Sequence, residues 1–324
     1  MELDDDARRR AQEAGSRALD AAFAGAIDEA RIAAQHALGI DPRDARAHAA
    51  LGVVAMHEAQ GESPPDLPAW RRAEGELLMA HALAPADARV TLALARFHVA
   101  DGHGQAALDL IDRALAGGAN NDLDLLRLAS VVAYEAAEER RARSYLLRVV
   151  EAAPDDAGSL YRLALCEATL AERPREDDVR RRAWQQAADR FARYVALAPE
   201  DVQGMLGEAQ ARFRLWQLDG ASDPERLGAV RDLYRAAARL DSRSAEAVFG
   251  EGVVAEAAGD SAAAEVAYRE ALRREPAHAA SLLNLAALLA ERGATDEARA
   301  CWEKALATGL TPAERRKVEE LLRR

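Results

Sequence analysis

The chain has 324 residues and is acidic, with a formal net charge of −12 at pH 7. Half of its residues are hydrophobic but only 5% are aromatic, so alanine and leucine supply most of the apolar content and favour helices over strands. The acidic balance argues against a general nucleic-acid-binding protein, and no apolar run reaches the roughly 18 residues that a membrane-spanning helix needs.

The first residues, MELDDDARRRAQEAG, place acids before arginines and lack the apolar core of a secretory signal. We expect the acids Asp4 to Asp6 to begin a first helix, because carboxylates are favourable near a helix N-terminus. The expected location is the cytoplasm, with the periplasm as the alternative if a signal or lipid anchor has been removed. Cys166 and Cys301 lie far apart without metal-ligand spacing, and we interpret both as buried, unreactive thiols.

A regular spacing of small residues runs along the chain and is clearest in GEGVVAEAAGDSAAAEVAYREALRREP, residues 250–276. With Ala245 as position 1, the same register gives eight repeats. Position 8 is small in every repeat: Ala18, Gly52, Ala95, Ser130, Ala164, Ala209, Gly252 and Ala286. Position 20 is alanine in all but one: Ala30, Ala73, Ala107, Ala142, Ala187, Val230, Ala264 and Ala298. Small side chains at these positions would let two helices approach closely.

Larger residues and prolines complete the pattern. Position 24 carries Leu77, Ile111, Leu146, Phe191, Tyr234, Tyr268 and Trp302 in seven of the repeats, where they would fill the space between neighbouring helices. Position 32 is proline in five repeats, at Pro42, Pro85, Pro154, Pro199 and Pro276. Because proline lacks an amide donor and clashes with the preceding turn, it is predicted to end the second helix of the repeat.

This pattern resembles the tetratricopeptide repeat family, whose unit is a helix–turn–helix of 34 residues. The resemblance implies an all-α, right-handed α-solenoid, a superhelix of about eight helix-turn-helix repeats that forms one domain over residues 1–324. The repeats are predicted at 11–44, 45–87, 88–122, 123–156, 157–201, 202–244, 245–278 and 279–312. A C-terminal capping helix is predicted at 313–324, since Thr311, Pro312 and Glu314 form a helix-start signal.

Three repeats have 43, 45 and 43 residues, well above 34, because an extra segment separates their two helices. These insertions are QGESPPDLP at 60–68, ERPREDDVRRR at 172–182 and QLDGASDPE at 217–225. Their prolines, acids and glycines are typical of a turn or an extended helix end. Trp70 and Trp184 follow the first two insertions and are predicted to be packing anchors. The insertions are expected along one rim, either as variation in loop length or as a docking rim for a partner.

No catalytic or cofactor motif stands out. DGHGQA at 101–106 contains Gly-x-Gly, but it lies in a predicted turn between helices, where turn chemistry explains it better than phosphate binding. His98 and His103 are five residues apart and do not face each other well on a helix, so no metal site is predicted. We predict no cofactor, no metal and no enzymatic activity.

In the family that the sequence resembles, the first helix of each repeat lines a concave groove. The resemblance therefore implies a partner-binding groove lined by Val53, Met56, Leu92, Arg96, Arg127, Val131, Tyr134, Tyr161, Arg162, Leu165, Leu206, Phe213, Phe249 and Val253. Arg96, Arg127 and Arg162 would either meet an acidic group of the partner or only keep this face soluble. The lysine–asparagine carboxylate clamp of chaperone-binding family members is absent, because the corresponding positions include Ala49, Val53 and Leu92.

The favoured function is a non-catalytic scaffold or adaptor that binds another protein or a peptide in this groove, without binding nucleic acid or inserting into a membrane. Alternatives are a regulatory protein that responds to a peptide or small molecule, and an envelope or secretion assembly factor. The sequence does not identify the partner, the pathway or the oligomeric state. It also leaves open whether the groove or the insertion rim is the main binding surface.

Overall fold

A computed structural model describes residues 4–61, 66–173 and 176–323, and the described residues form helices joined by short connections, without strands. The helices are α1 (Asp5–Phe23), α2 (Ile27–Ile40), α3 (Ala45–Gln60), α4 (Leu67–Leu83), α5 (Ala88–Ala100), α6 (Gly104–Ala116), α7 (Leu123–Glu135), α8 (Glu139–Ala152), α9 (Ala157–Glu172), α10 (Asp177–Leu197), α11 (Val202–Leu218), α12 (Pro224–Leu240), α13 (Ala245–Ala257), α14 (Ser261–Arg274), α15 (Ala279–Glu291), α16 (Thr295–Leu306) and α17 (Pro312–Leu322).

The helices pack in sequential pairs. The contacts divide the described chain into two compact units, an amino-terminal unit that ends at Ser159 and a carboxyl-terminal unit that begins at Leu160. In the amino-terminal unit α1 packs on α2, α3 on α4, α5 on α6 and α7 on α8, and each odd-numbered helix also contacts the next odd-numbered one. In the carboxyl-terminal unit α11 packs on α12, α13 on α14 and α15 on α16. This confirms the all-α helical-repeat solenoid. The right-handed superhelix and the single domain stay predictions.

The core consists of the small residues of the repeat and the large residues packed on them. All position-8 and position-20 residues are buried. A Cβ atom added to Gly52 would lie 2.5 Å from Leu77, and one added to Gly252 would lie 2.5 Å from Tyr268. In both repeats the position-24 side chain therefore rests against the backbone of position 8. Among the seven position-24 residues, Trp302 is the exception, since it is half-buried.

A proline followed by a capping residue separates most repeats. Helices α2, α4, α8, α10 and α14 each end two residues before the proline of position 32, as predicted. The second residue after that position caps the next first helix: the side chain of Asp44 accepts a hydrogen bond from the Ala47 amide, and Asp87 accepts from the Arg89 and Val90 amides. Asp122 and Ser244 do the same in repeats that lack the proline. The cap therefore defines the boundary even without proline.

The insertions mainly lengthen helices. First helices of the short repeats, such as α5, α7 and α13, have 13 residues, whereas α3 has 16 and α11 has 17. Parts of two insertions, residues 62–65 and 174–175, lie outside the described residues. Trp184 is buried as predicted, and Trp70 lies 4.9 Å from the Phe97 ring and donates a hydrogen bond to Asp101.

Two insertions meet in the carboxyl-terminal unit. Arg181, from the second insertion, donates to Asp219 of the third at 2.8 Å, and Arg226 donates to the same carboxylate at 2.7 Å. Hydrogen bonds from Arg226 and Arg181 lower the pKa of Asp219 below its usual value, because they stabilise the charged form. At the chain end, the Thr311 hydroxyl accepts from the Glu314 amide in a capping box, which confirms the start of α17.

We expect Gly252→Leu to lower the free energy of unfolding by about 1–3 kcal/mol, because the new side chain must displace Tyr268 or separate α13 from α14. Ala264→Leu should act in the same direction, since Ala264 is fully buried between the same helices. Gly75→Leu is the matched control, because Gly75 is helical, exposed and without neighbours where a Cβ would be placed. Chemical denaturation measures all three. Equal stability of Gly252→Leu and Gly75→Leu would contradict the close approach of α13 and α14 at Gly252.

Asp219→Asn should lower the free energy of unfolding at pH 7, because it removes the carboxylate charge with which both Arg181 and Arg226 form ion pairs. The folded-state pKa of Asp219 lies below its unfolded value, so the stabilisation is complete at neutral pH and is lost as pH falls from about 4 towards the folded-state pKa. Denaturation of wild type and variant at several pH values should show the difference shrinking on acidification. Glu200→Gln, at an exposed residue without an ion pair in the described structure, is the control. A stability difference between wild type and Asp219→Asn that does not change with pH would show that the ionised Asp219 carboxylate is not its cause.

Candidate functional site

The first helices carry most of the predicted groove residues at their surface. The half-buried apolar and aromatic ones among them are Val53 and Met56 on α3, Val131 and Tyr134 on α7, Tyr161 and Leu165 on α9, and Phe249 and Val253 on α13. In the amino-terminal unit α3, α5 and α7 contact one another in order. We call the surface of these three helices, with the end of α1, the first-helix face.

Three predicted groove residues lie in the interior instead. Leu92 is 4% exposed, and Leu206 and Phe213 are each 8% exposed. Phe213 stacks on Trp216 with ring centroids 5.7 Å apart, inside a cluster that also includes Leu227 and Tyr234. Their positions in the repeat suggested a lining role, but neighbouring helices cover the side chains, so these three offer little surface to a partner.

The aromatic residues of the carboxyl-terminal unit are also engaged within the chain. Tyr161 lies 5.9 Å from the Phe191 ring and 5.0 Å from the Tyr194 ring. Phe249 lies 5.7 Å from Tyr268 and 5.2 Å from His278. Both residues therefore serve internal packing as well as any surface role.

The three predicted arginines have different surroundings. Arg127 is half-buried and donates hydrogen bonds to Asp156 at 2.7 Å and Asp124 at 2.9 Å, so its charge is matched inside the protein. Arg96 is exposed, and its guanidinium lies 4.7 Å from the centroid of the Phe23 ring. Arg162 is exposed on α9. Of these arginines, Arg96 combines exposure with a fixed aromatic platform.

None of the fourteen predicted residues lines any of four cavities in the described structure. The largest of these four has a volume of about 1000 Å³ and lies between α12 and α14, over α13. Leu227, Val248 and Val254 contribute to its apolar lining, and the third insertion contributes Ala221, Ser222 and Pro224. The repeat positions did not predict this cavity, although the third insertion was expected to lie on a rim.

Val266 is the conspicuous residue of this cavity. Its side chain is 70% exposed, and it lines both the large cavity and a smaller one between α14 and α15. It occupies position 22, which in the other repeats carries Ile32, Gly75, Asp109, Ser144, Asp189, Asp232 and Ala300. Ile32 is 69% exposed at the same position of the first repeat, so a large apolar residue at this outward position was the available sequence signal at both places.

Within the described ranges, no group of histidine, cysteine, aspartate or glutamate residues is arranged to hold a metal ion. None of the described helices is both long and apolar enough to cross a membrane. Cys166 is buried, whereas Cys301 is half-buried, and burial raises the pKa of the Cys301 thiol. A raised pKa lowers the thiolate fraction and therefore the reactivity at neutral pH.

Solved structures share this arrangement of helices. A tetratricopeptide repeat protein from Parabacteroides merdae superposes with a TM-score of 0.54 and 16% identity, covering 83% of this chain and 96% of its own. YrrB, described as a tetratricopeptide repeat protein with an unusual peptide-binding site, gives a TM-score of 0.53 and 16% identity, covering 64% of this chain and 95% of its own. No protein-family model matches the sequence, and a comparison with curated proteins gives no match.

The chain therefore has the tetratricopeptide repeat fold, as the spacing of its small residues predicted.

Phe213→Ala should reduce the free energy of unfolding by about 3–5 kcal/mol, because it leaves a cavity in a packed cluster. Tyr134→Ala should cost clearly less, since the Tyr134 side chain is only half-buried. Urea denaturation of both variants compares the two positions directly. A smaller loss of unfolding free energy for Phe213→Ala than for Tyr134→Ala would contradict the interior position of Phe213.

Proposed function

We propose that the chain is a non-catalytic scaffold that binds a segment of another protein on its first-helix face. The observation that carries this proposal is the set of half-buried apolar side chains on α3 and α7, above all Met56 and Tyr134, on the two first helices that contact α5 from either side. The core is already filled by the small and large residues of the repeat. Apolar and aromatic groups left at the surface are typical of interaction sites, and methionine and tyrosine are enriched there.

The fold supports a peptide-like partner. Stacked helix pairs form extended surfaces, because each repeat contacts only its neighbours along the stack. YrrB, which has the same fold, is described as having a peptide-binding site. A partner segment could lie across several first helices and contact each of them once. The net charge of −12 favours a protein partner over a nucleic acid. The cellular location stays a prediction.

A second function, as a regulator that responds to a small molecule, is supported by one observation. The cavity between α12 and α14 has a volume of about 1000 Å³, at the upper end of the range for small-molecule sites, and a lining of both apolar and charged side chains. Arg231 is exposed at this cavity and could orient a polar group. Binding there would bridge two successive second helices and oppose their separation.

The two functions are separated by variants on the two surfaces. Affinity capture from the source cell would use the wild type, a Met56→Ala/Tyr134→Ala double variant and Val266→Ala as the matched surface control. We expect proteins captured by the wild type to be reduced at least about tenfold with the double variant, because truncated interface anchors cost more than about 1 kcal/mol. Val266→Ala should capture them normally. Thermal melts of all three proteins check that the fold is retained.

Equal capture by the wild type and the double variant would contradict the use of the first-helix face. Loss of capture with Val266→Ala alone would indicate that the binding surface lies on the second helices. Thermal melts with a panel of metabolites test the regulatory function. A stabilisation that Val266→Arg abolishes would support it, since the larger side chain would occupy the cavity; no shift with any compound would count against it.

A further inference from the structure

Two guanidinium groups lie over one aromatic ring at the first-helix face. Phe23 is the last residue of α1 and is half-buried. The guanidinium carbons of Arg89 and Arg96 on α5 lie 5.4 Å and 4.7 Å from its ring centroid. These distances are within the range of cation–π attraction, so the ring holds both cations at the surface.

The two arginines differ in their remaining contacts. Arg89 forms an ion pair with Asp20, one turn before Phe23 on α1. Within the described residues Arg96 contacts the Phe23 ring and forms no ion pair with a carboxylate. Other arginines of this face are matched: Arg46 contacts Asp87 and Ser16, and Arg127 contacts Asp124 and Asp156. Among these arginines within the described ranges, Arg96 is therefore the one without an ion pair to a neighbouring acid.

A guanidinium held over an aromatic ring is prepared to bind a carboxylate. The cation–π contact uses no hydrogen bond and leaves the N–H donors of the guanidinium for another partner. It also restricts a flexible side chain before binding, which reduces the entropy lost on binding. A carboxylate accepts two such donors in parallel, which gives a stronger contact than neutral groups make.

The surroundings favour one carboxylate rather than several. The whole chain carries a net charge of −12, so a run of acids would be repelled. The adjacent α3 presents half-buried Val53 and Met56 on the same face, which suit apolar residues of a partner. We propose that Arg96, positioned by Phe23, binds a single carboxylate of a partner peptide whose neighbouring residues are apolar. This inference rests on the proposed scaffold function and specifies the chemistry of its partner.

Random dodecapeptide libraries test the inference with defined probes. One library presents a free carboxyl terminus, and in the other that terminus is fused, so that only side-chain carboxylates are available. Peptides selected on the wild type would be sequenced, synthesised and measured by fluorescence anisotropy. We expect enrichment of one aspartate or glutamate flanked by apolar residues in the fused library. Dependence on a free terminus alone would assign the carboxylate to the peptide end.

The arginine is tested by a cycle of single and double changes. Arg96→Gln in the protein and Glu→Gln in the peptide should each weaken binding roughly tenfold or more, and combining the two changes should weaken it little further. Where the peptide binds through its carboxyl terminus, amidation of the terminus replaces the Glu→Gln change. Phe23→Leu keeps an apolar residue but removes the ring, and should weaken the same peptides less. Arg113→Gln is the matched control, because Arg113 is an exposed arginine on second helix α6. It should leave binding unchanged.

The outcomes separate this inference from the scaffold function. Selected peptides without a required carboxylate, or with unchanged affinity for Arg96→Gln, overturn the role of Arg96. If such peptides still lose affinity for Met56→Ala/Tyr134→Ala, the first-helix face remains the binding surface. If neither library yields a peptide that binds the wild type, the proposed peptide-binding function fails together with the inference. Circular dichroism melts of each variant confirm that a loss of binding does not reflect unfolding.

Discussion

The contact between a small residue of one helix and a large residue of its partner organises the whole chain. In two repeats a position-24 side chain lies against a glycine at position 8, so closely that no Cβ would fit. Short helices of about 13 residues are marginal alone in water, and this contact supplies the burial that each pair needs. The same requirement recurs from repeat to repeat, and so it appears in the sequence as a regular spacing.

The repeat pattern was readable because both of its signals are local. Proline at position 32 stops a helix through its own backbone, and small residues at positions 8 and 20 are needed wherever two helices touch. The capping residues two positions after position 32 complete the boundary, and Asp122 and Ser244 explain why the repeats at Asn120 and Ser242 end correctly without proline. Handedness and the grouping of repeats depend on contacts between distant residues, which a repeat pattern does not specify.

The candidate site was less accessible from the sequence. Register fixes which side of a helix a residue occupies, but not whether a neighbouring helix covers it. Leu92, Leu206 and Phe213 occupy lining positions and are nevertheless buried. The Phe23 ring beneath Arg96 joins α1 of the first repeat to α5 of the third, and the large cavity is lined by residues of four helices. Such features arise from combinations of helices, so no single repeat encodes them.

The lengthened helices have a separate consequence for how the chain can diversify. Helix α12 has 17 residues and α14 has 14, and each helical residue adds 1.5 Å, so α12 is longer by about 4–5 Å. The connection that leads into it lines the large cavity through Ala221 and Ser222. None of these added residues occupies a packing position of the repeat. The size of the cavity can therefore change through insertions and deletions at this end while the contacts between paired helices stay the same.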